Sequence, residues 1–205
     1  MDKANDVQML SWRQRALIFF QGFLRHPELV GSVIPSSRFL EQKLVETARI
    51  GTARMVVELG PGTGGTTKAF LKALPRDGRL LAIEINPDFV DVVRSQADPR
   101  LRVHQGSAEQ IRDLLARYGL PAPDAVLSGI PFSTMPPTLG RRIIQEVWDA
   151  LAPGGCFVAY QVRGKVADLG SEFLGRPAVR TEVFNIPPVR IYTWRKPSSG
   201  NGRDG

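Results

Sequence analysis

Apolar residues recur along the chain in short dense runs, set apart by stretches whose apolar positions follow a helical period. The runs "RMVVEL", "RLLAIEI", "LRVHQG", "DAVLSG" and "CFVAYQV" are rich in residues that favour strands and are bounded by turn formers, which predicts five strands. Between them the pattern predicts helices over Thr66 to Leu74, Pro87 to Gln96, Ala108 to Tyr118 and Leu139 to Leu151, the last closed by "APGG". Strand and helix in alternation imply a parallel sheet with crossover helices. The end of the chain changes period: "AVRTEVFNIPPVRIYTWRK" reads as two alternating strands joined at "NIPP", so the sheet is expected to finish in an antiparallel hairpin. The tail "PSSGNGRDG" has nothing to bury and is expected to be disordered. No internal repeat is evident.

With 205 residues, 42% of them hydrophobic, the chain can bury one good core, and two complete domains are not expected. The expected division is a helical cap over 1–50, an α/β domain over 51–197 and a tail over 198–205. Cys156 is the only cysteine, so no intramolecular disulfide is available; a buried strand position in a reducing compartment is the reading. The N-terminal "MDKANDVQML" lacks a secretory pattern, and no apolar run approaches the ~18 residues that spanning a bilayer takes. A cytoplasmic protein is expected. Its net charge of +7 favours polyanions, either nucleic acid or an anionic lipid face.

The stretch "VVELGPGTGGTTKAFLKAL" carries the chemistry. Gly60, Gly62 and Gly65 satisfy a dinucleotide fingerprint, and Gly60, Gly62 and Gly64 satisfy the loop that holds S-adenosylmethionine. Both place glycine where a backbone must approach a ligand at a helix N-terminus, so the glycines alone do not choose. Glu58 does, because at the strand end it would repel a pyrophosphate and welcome a methionine ammonium. Glu84 ends the second strand about twenty residues on, where a carboxylate can accept both ribose hydroxyls of either cofactor. Ile85 is expected against an adenine face, with Gly106, Ser107 and Ala108 at the adenine edge. Thr66 and Ser128 complete the expected donor site.

Together, "ELGPGTG", "AIEIN" and "LAPGG" resemble the motifs of class I S-adenosylmethionine-dependent methyltransferases, over roughly Arg54 to Lys196. That implies a Rossmann-like fold: a seven-stranded, mostly parallel sheet with a C-terminal antiparallel hairpin, here with an N-terminal helical cap. The fourth strand runs into "LSGIPFSTMPP", where amino-methylating enzymes carry an acceptor loop. Ribosomal RNA adenine dimethyltransferases resemble the chain in the glycine loop, but they carry an asparagine where Gly129 stands and an acidic residue where Ser107 stands. They also have a C-terminal helical domain for which this chain is too short. "GSVIPSSRFL", "SGIPFSTMPP" and "NIPPVRIYTWRK", with the glycine loop, are more similar to the small bacterial phospholipid N-methyltransferases, over about Gly22 to Lys196. Enzymes acting on ornithine lipids share much of this pattern. The resemblance implies stepwise methylation of phosphatidylethanolamine to phosphatidylcholine at the inner membrane face.

Methyl transfer from a sulfonium is an in-line displacement that requires alignment and exclusion of water, and no metal. His26 and His104 lack a ligand cluster around them in the sequence. A primary lipid amine titrates near ~10.4, so presenting it as free base at pH 7 costs about 4 to 5 kcal/mol. Tyr160, backbone carbonyls of "SGIPF" and water are candidates to take its proton. The rings of Phe132 and Tyr160 are candidates for cation–π contact with the head group, with ordinary core packing as the alternative for both.

Ahead of the sheet, Met9, Trp12, Ala16, Phe20 and Phe23 share one helical face, with Arg15 and Arg25 away from it. Arg13 and Ile18 break the separation. The composition is that of an interfacial helix on an anionic membrane; a helix that covers the sheet edge is the alternative. Ser36 or Ser37 is placed to cap the next helix, and Ser36, Ser37 and Arg38 are candidates for the donor carboxylate or the lipid phosphate. A monomer that binds no nucleic acid completes the expectation. An RNA adenine methyltransferase and a cofactor-binding protein without catalysis are the competing readings.

Overall fold

The computed structural model describes residues 36–185 and 187–198. The expected interfacial helix around Trp12 to Phe23, with His26 and most of the expected 1–50 cap, lies outside the described residues, as does the tail beyond residue 198.

Strands β1 (Met55–Leu59), β2 (Arg79–Glu84), β3 (Leu101–Gln105), β4 (Ala125–Ser128) and β5 (Cys156–Gln161) run parallel, and β6 (Ala178–Glu182) and β7 (Val189–Arg195) form the antiparallel hairpin. The sheet order is β3-β2-β1-β4-β5-β7-β6, with β7 antiparallel to β5. Every residue of β1 and β4 is buried, as expected of central strands covered on both faces.

Helices α1 (Arg38–Thr47), α2 (Gly65–Ala73), α3 (Pro87–Arg94), α4 (Ile111–Arg117), α5 (Pro137–Ala150) and α6 (Lys165–Leu174) surround the sheet. Ser37 caps α1, its hydroxyl accepting from the Leu40 N–H at 3.2 Å. Asn86 caps α3 in the same way, with Pro87 at the first position. One core layer joins Phe132, Ile144, Val147 and Phe157 with Tyr192 and Trp194 of the hairpin. The other joins Leu40 and Leu44 of α1 and Phe70 of α2 with Val158 and Ile191 on the opposite face.

One expected helix differs in detail, and one helix was not expected. The helix predicted over Ala108 to Tyr118 opens as a 3-10 turn, Ala108–Gln110, closed by a reciprocal Ser107 and Gln110 capping box, before α4 proper. Helix α6 was not readable, because Gly164 and Gly170 punctuate it and no side chain caps it. Gly170 has a packing reason: a Cβ there would stand 2.6 Å from the Trp194 ring.

The strand order reverses between β1 and β4. In open α/β sheets a ligand crevice forms outside the carboxyl ends of strands at such a point.

Candidate active site

At that switch point the chain leaves β1 through Gly60, Gly62 and Gly64, all with positive φ (70°, 55° and 79°), and enters α2 at Gly65. At Gly62 a Cβ would meet nothing within 4 Å, so the demand for glycine there is conformational. The Gly62 N–H donates to Glu84 Oε2 at 3.1 Å, and Glu84 Oε1 accepts from the N–H groups of Ile85 and Asn86 at 2.8 and 2.9 Å. Glu84 thereby ties the end of β2 to the loop after β1. Burial raises its pKa, while the three backbone donors oppose the rise.

Glu58 is fully buried below the loop and accepts from the hydroxyls of Thr66, in a short hydrogen bond, and Thr67, at 2.6 Å, both in the first turn of α2. Desolvation raises its pKa to about 7 against those two donors, and the neighbouring Glu84 charge adds to the rise. Neither carboxylate forms an ion pair with lysine or arginine among the described residues. Two buried, unpaired acids side by side are costly unless a cation answers them. A ligand carrying an ammonium and a sulfonium fits that need, and a dinucleotide pyrophosphate does not.

A cleft of about 560 Å³, counted to its open mouth, has Glu84 in its wall, while Glu58, Gly62, Gly64 and Thr66 do not line it. Gly60, Glu84, Ile85, Gly106, Ser107 and Ala108 line one side, each a residue expected at the donor site. Ile83, Ile130, Pro131, Thr134, Met135, Leu139 and Ile143 complete the lining. Sequence reasoning placed Ile130, Pro131, Thr134 and Met135 in the expected acceptor loop without singling out their side chains, and gave Ile83, Leu139 and Ile143 no part in the site. Thr134 and Met135 reach the cleft because "PFST" folds into a 3-10 turn, Phe132–Thr134, and Leu139 and Ile143 share one face of α5 at i, i+4 spacing. Only that spacing was visible beforehand.

The remaining expected residues fall elsewhere. Phe132 is fully buried in the core, with Gly140 close by. Ser128 is fully buried, and its hydroxyl accepts from the Ile130 N–H at 3.3 Å, which shapes the start of the acceptor loop. Gly129 is a close approach: a Cβ there would stand 2.7 Å from the Tyr160 hydroxyl and 3.1 Å from the Gly60 carbonyl. Burial holds the Tyr160 phenol above its ordinary pKa, the Glu58 charge adds to this, and a hydrogen bond with Thr66 opposes it. Tyr160, Thr66 and Glu58 are thus contiguous, and Tyr160 is a neutral phenol at pH 7. Gln161, unforeseen, donates from its amide to the Ile130 carbonyl and pins the same loop. Ser37 and Arg38 are outside the cleft lining; Ser37 caps α1 and its N–H donates to Asn185 Oδ1 at 3.0 Å. Among the described residues no group of three His, Cys, Asp or Glu is placed to hold a metal. His104 meets Tyr118 at 2.8 Å.

Comparison with known proteins agrees with this geometry. Residues 56–155 match the family model described as a methyltransferase domain. An ornithine lipid N-methyltransferase from Singulisphaera acidiphila is 33% identical over 142 residues, covering 68% of this chain and 74% of that one. A ribosomal RNA small subunit methyltransferase A from Cupriavidus taiwanensis is 28% identical over 73% of this chain but only 58% of its own length. Among solved structures, the O-methyltransferase TomG from Streptomyces achromogenes, in complex with SAM, superposes with a TM-score of 0.67 at 20% identity, over 88% of this chain and 89% of that one. The N-methyltransferase NodS from Bradyrhizobium japonicum, with S-adenosyl-L-homocysteine, does so at 0.62 and 14% identity, over 88% and 99%. The chain belongs to the class I S-adenosylmethionine-dependent methyltransferases. Its cofactor is S-adenosylmethionine.

Proposed function

We propose that this enzyme methylates the amine of a membrane lipid, with an ornithine lipid as the best-supported acceptor. The sequence pattern favoured phosphatidylethanolamine; the similarity to an ornithine lipid N-methyltransferase moves the weight to its alternative. Phosphatidylethanolamine presents the same primary amine and is the second acceptor to test.

The observation that carries an aliphatic amine over adenine is the closure of space at Gly129. RNA adenine methyltransferases place an asparagine at this point of the loop, and here the Tyr160 hydroxyl occupies the room its Cβ would need. A small, flexible amine needs no such amide.

S-adenosylmethionine supplies a methyl group on a positively charged sulfur. The chain's own residues account for the rest. Glu58 and Glu84 set a negative field under the glycine loop, strong because both are buried. Ile130, Pro131, Met135 and Leu139 form an apolar wall that excludes water from the transfer line. The incoming ammonium gives a proton to water before transfer, and the free amine turns its lone pair toward the methyl. Tyr160, a neutral phenol outside the cleft lining, packs against Gly129 and hydrogen-bonds Thr66, and so holds the loop after β4 in place behind the transfer line. Phe132 acts from within the core by packing behind the loop.

The membrane is expected to be reached from its cytoplasmic face, with residues 1–35 contributing the aromatic and basic side chains noted above. Among the described residues no helix is long and apolar enough to cross a bilayer. The test is expression in a bacterium that makes both phosphatidylethanolamine and ornithine lipids, followed by mass spectrometry of the lipid extract. Ornithine lipids heavier by one to three methyl additions are expected. Unchanged lipids of both classes beside newly methylated ribosomal RNA would refute the proposal.

A further inference from the structure

Strand β7 starts opposite the end of β5, with Arg190 paired to Gln161, so the turn between β6 and β7 lies at the carboxyl edge of the parallel strands. That is the edge on which the cleft opens. The turn is firmly built from within. Glu182, buried, accepts from the Phe184 N–H at 2.9 Å and faces Lys43 of α1 at 3.9 Å. Asn185, 2% exposed, accepts from Ser37 and donates to the Pro187 carbonyl at 3.1 Å. The start of α1 and the hairpin turn are therefore one unit.

Outward, the same unit displays Val183, Phe184 and Phe39 at 61%, 68% and 55% exposure, with the two rings 5.1 Å apart. Apolar side chains this exposed are unusual on a surface that only meets water. Arg38 is exposed next to Phe39, and Arg180 and Arg190 are exposed on the strands that flank the turn. Glu182 in the turn is buried against Lys43, and Glu41 in the first turn of α1 is half-buried on the side of Lys68 and Gly65 of α2, so the exposed charges flanking the rings are those of Arg38, Arg180 and Arg190.

We propose that Phe39, Val183 and Phe184 enter an anionic lipid bilayer, holding the cleft mouth against the membrane while Arg38, Arg180 and Arg190 meet lipid phosphates. The inference deepens the lipid-amine reading above and rests on it. Three protruding side chains expose on the order of 300 Å², well short of the ~800 Å² per partner of a stable protein interface. Insertion into a headgroup layer needs no such area, and the arginines match an anionic surface.

Cys156 is buried, so a thiol-reactive, environment-sensitive fluorophore can be directed to Phe184→Cys. Asp77→Cys, before β2 at the opposite edge of the sheet, is the control. With vesicles of phosphatidylglycerol and phosphatidylcholine, emission from position 184 should shift to the blue and that from position 77 should not; pure phosphatidylcholine should shift neither. The Val183→Ser, Phe184→Ser double variant should keep its affinity for S-adenosylhomocysteine and lose at least fivefold in co-sedimentation with anionic vesicles. A protein that sediments with vesicles while the probe at 184 stays in water overturns the proposal. So does a double variant that binds vesicles normally but changes oligomeric state, which would assign the patch to a second copy. Insertion of position 184 without methylation of any lipid supports the docking surface and rejects the acceptor reading instead.

Discussion

Replacing Glu58 by glutamine should make the ligand-free protein more stable and, at the same time, a poorer binder of the methyl donor. The carboxyl is buried, with a pKa near 7 against an ordinary value of 4.5, and desolvation is the main cause. Between those two values the folded protein holds a proton that the unfolded chain has released. Stability from this group is therefore full below about pH 4.5, falls as pH rises, and is gone above about pH 7. Between pH 5 and 8 the native protein should lose about 2 to 3 kcal/mol that the glutamine variant does not. Urea unfolding of both proteins at the two pH values, without donor, measures this difference directly. At pH 8 the variant should also bind S-adenosylhomocysteine more weakly, by about 1.5 to 3 kcal/mol, since the ammonium loses its counter-charge. Equal pH dependence in the two proteins would refute the claim that Glu58 is an unpaired acid awaiting a cation.

Glu84→Ala removes the tie to Gly62 and the expected ribose contacts; calorimetry should show S-adenosylhomocysteine binding weakened by about 1.5 to 3 kcal/mol in a folded protein. Gly129→Ala forces a Cβ against the Tyr160 hydroxyl and should cost about 1 to 3 kcal/mol of stability, part of which Tyr160→Phe in the same chain should restore in thermal unfolding. Phe20→Ser with Phe23→Ser should lower vesicle co-sedimentation and activity on lipid while donor affinity stays within a few-fold. High salt should weaken vesicle binding of the native protein without abolishing it, because the aromatic contribution is not screened.

Periodicity and punctuation were enough for the five parallel strands, the closing hairpin and six residues of the cleft lining, because strand ends and glycine turns are local signals. Glu84 is the clearest case: the end of β2 and the glycine loop, about twenty residues apart in the chain, meet at its carboxylate. The rest of the cleft lining was harder to read for a different reason. Thr134, Met135, Leu139 and Ile143 converge through a 3-10 turn and a helix face, and nothing local in "PFSTMPP" specifies that convergence. Phe132 shows the limit of composition, since the same aromatic in the same loop suits a head-group contact or a core position, and burial places it in the core. Helix α6 was hidden by Gly170, whose purpose is visible only once Trp194 of a distant strand lies against it. The role of Gly129 likewise depends on Tyr160, thirty-one positions away in the chain.

This methyltransferase is proposed to act on a lipid amine. Purified protein, given S-adenosylmethionine labelled in the methyl group together with anionic vesicles containing ornithine lipid and phosphatidylethanolamine, and with ribosomal RNA in the same tube, tests it most directly. Label should enter the lipid phase and appear on ornithine lipid ahead of phosphatidylethanolamine. Label in the RNA with none in either lipid would contradict the account.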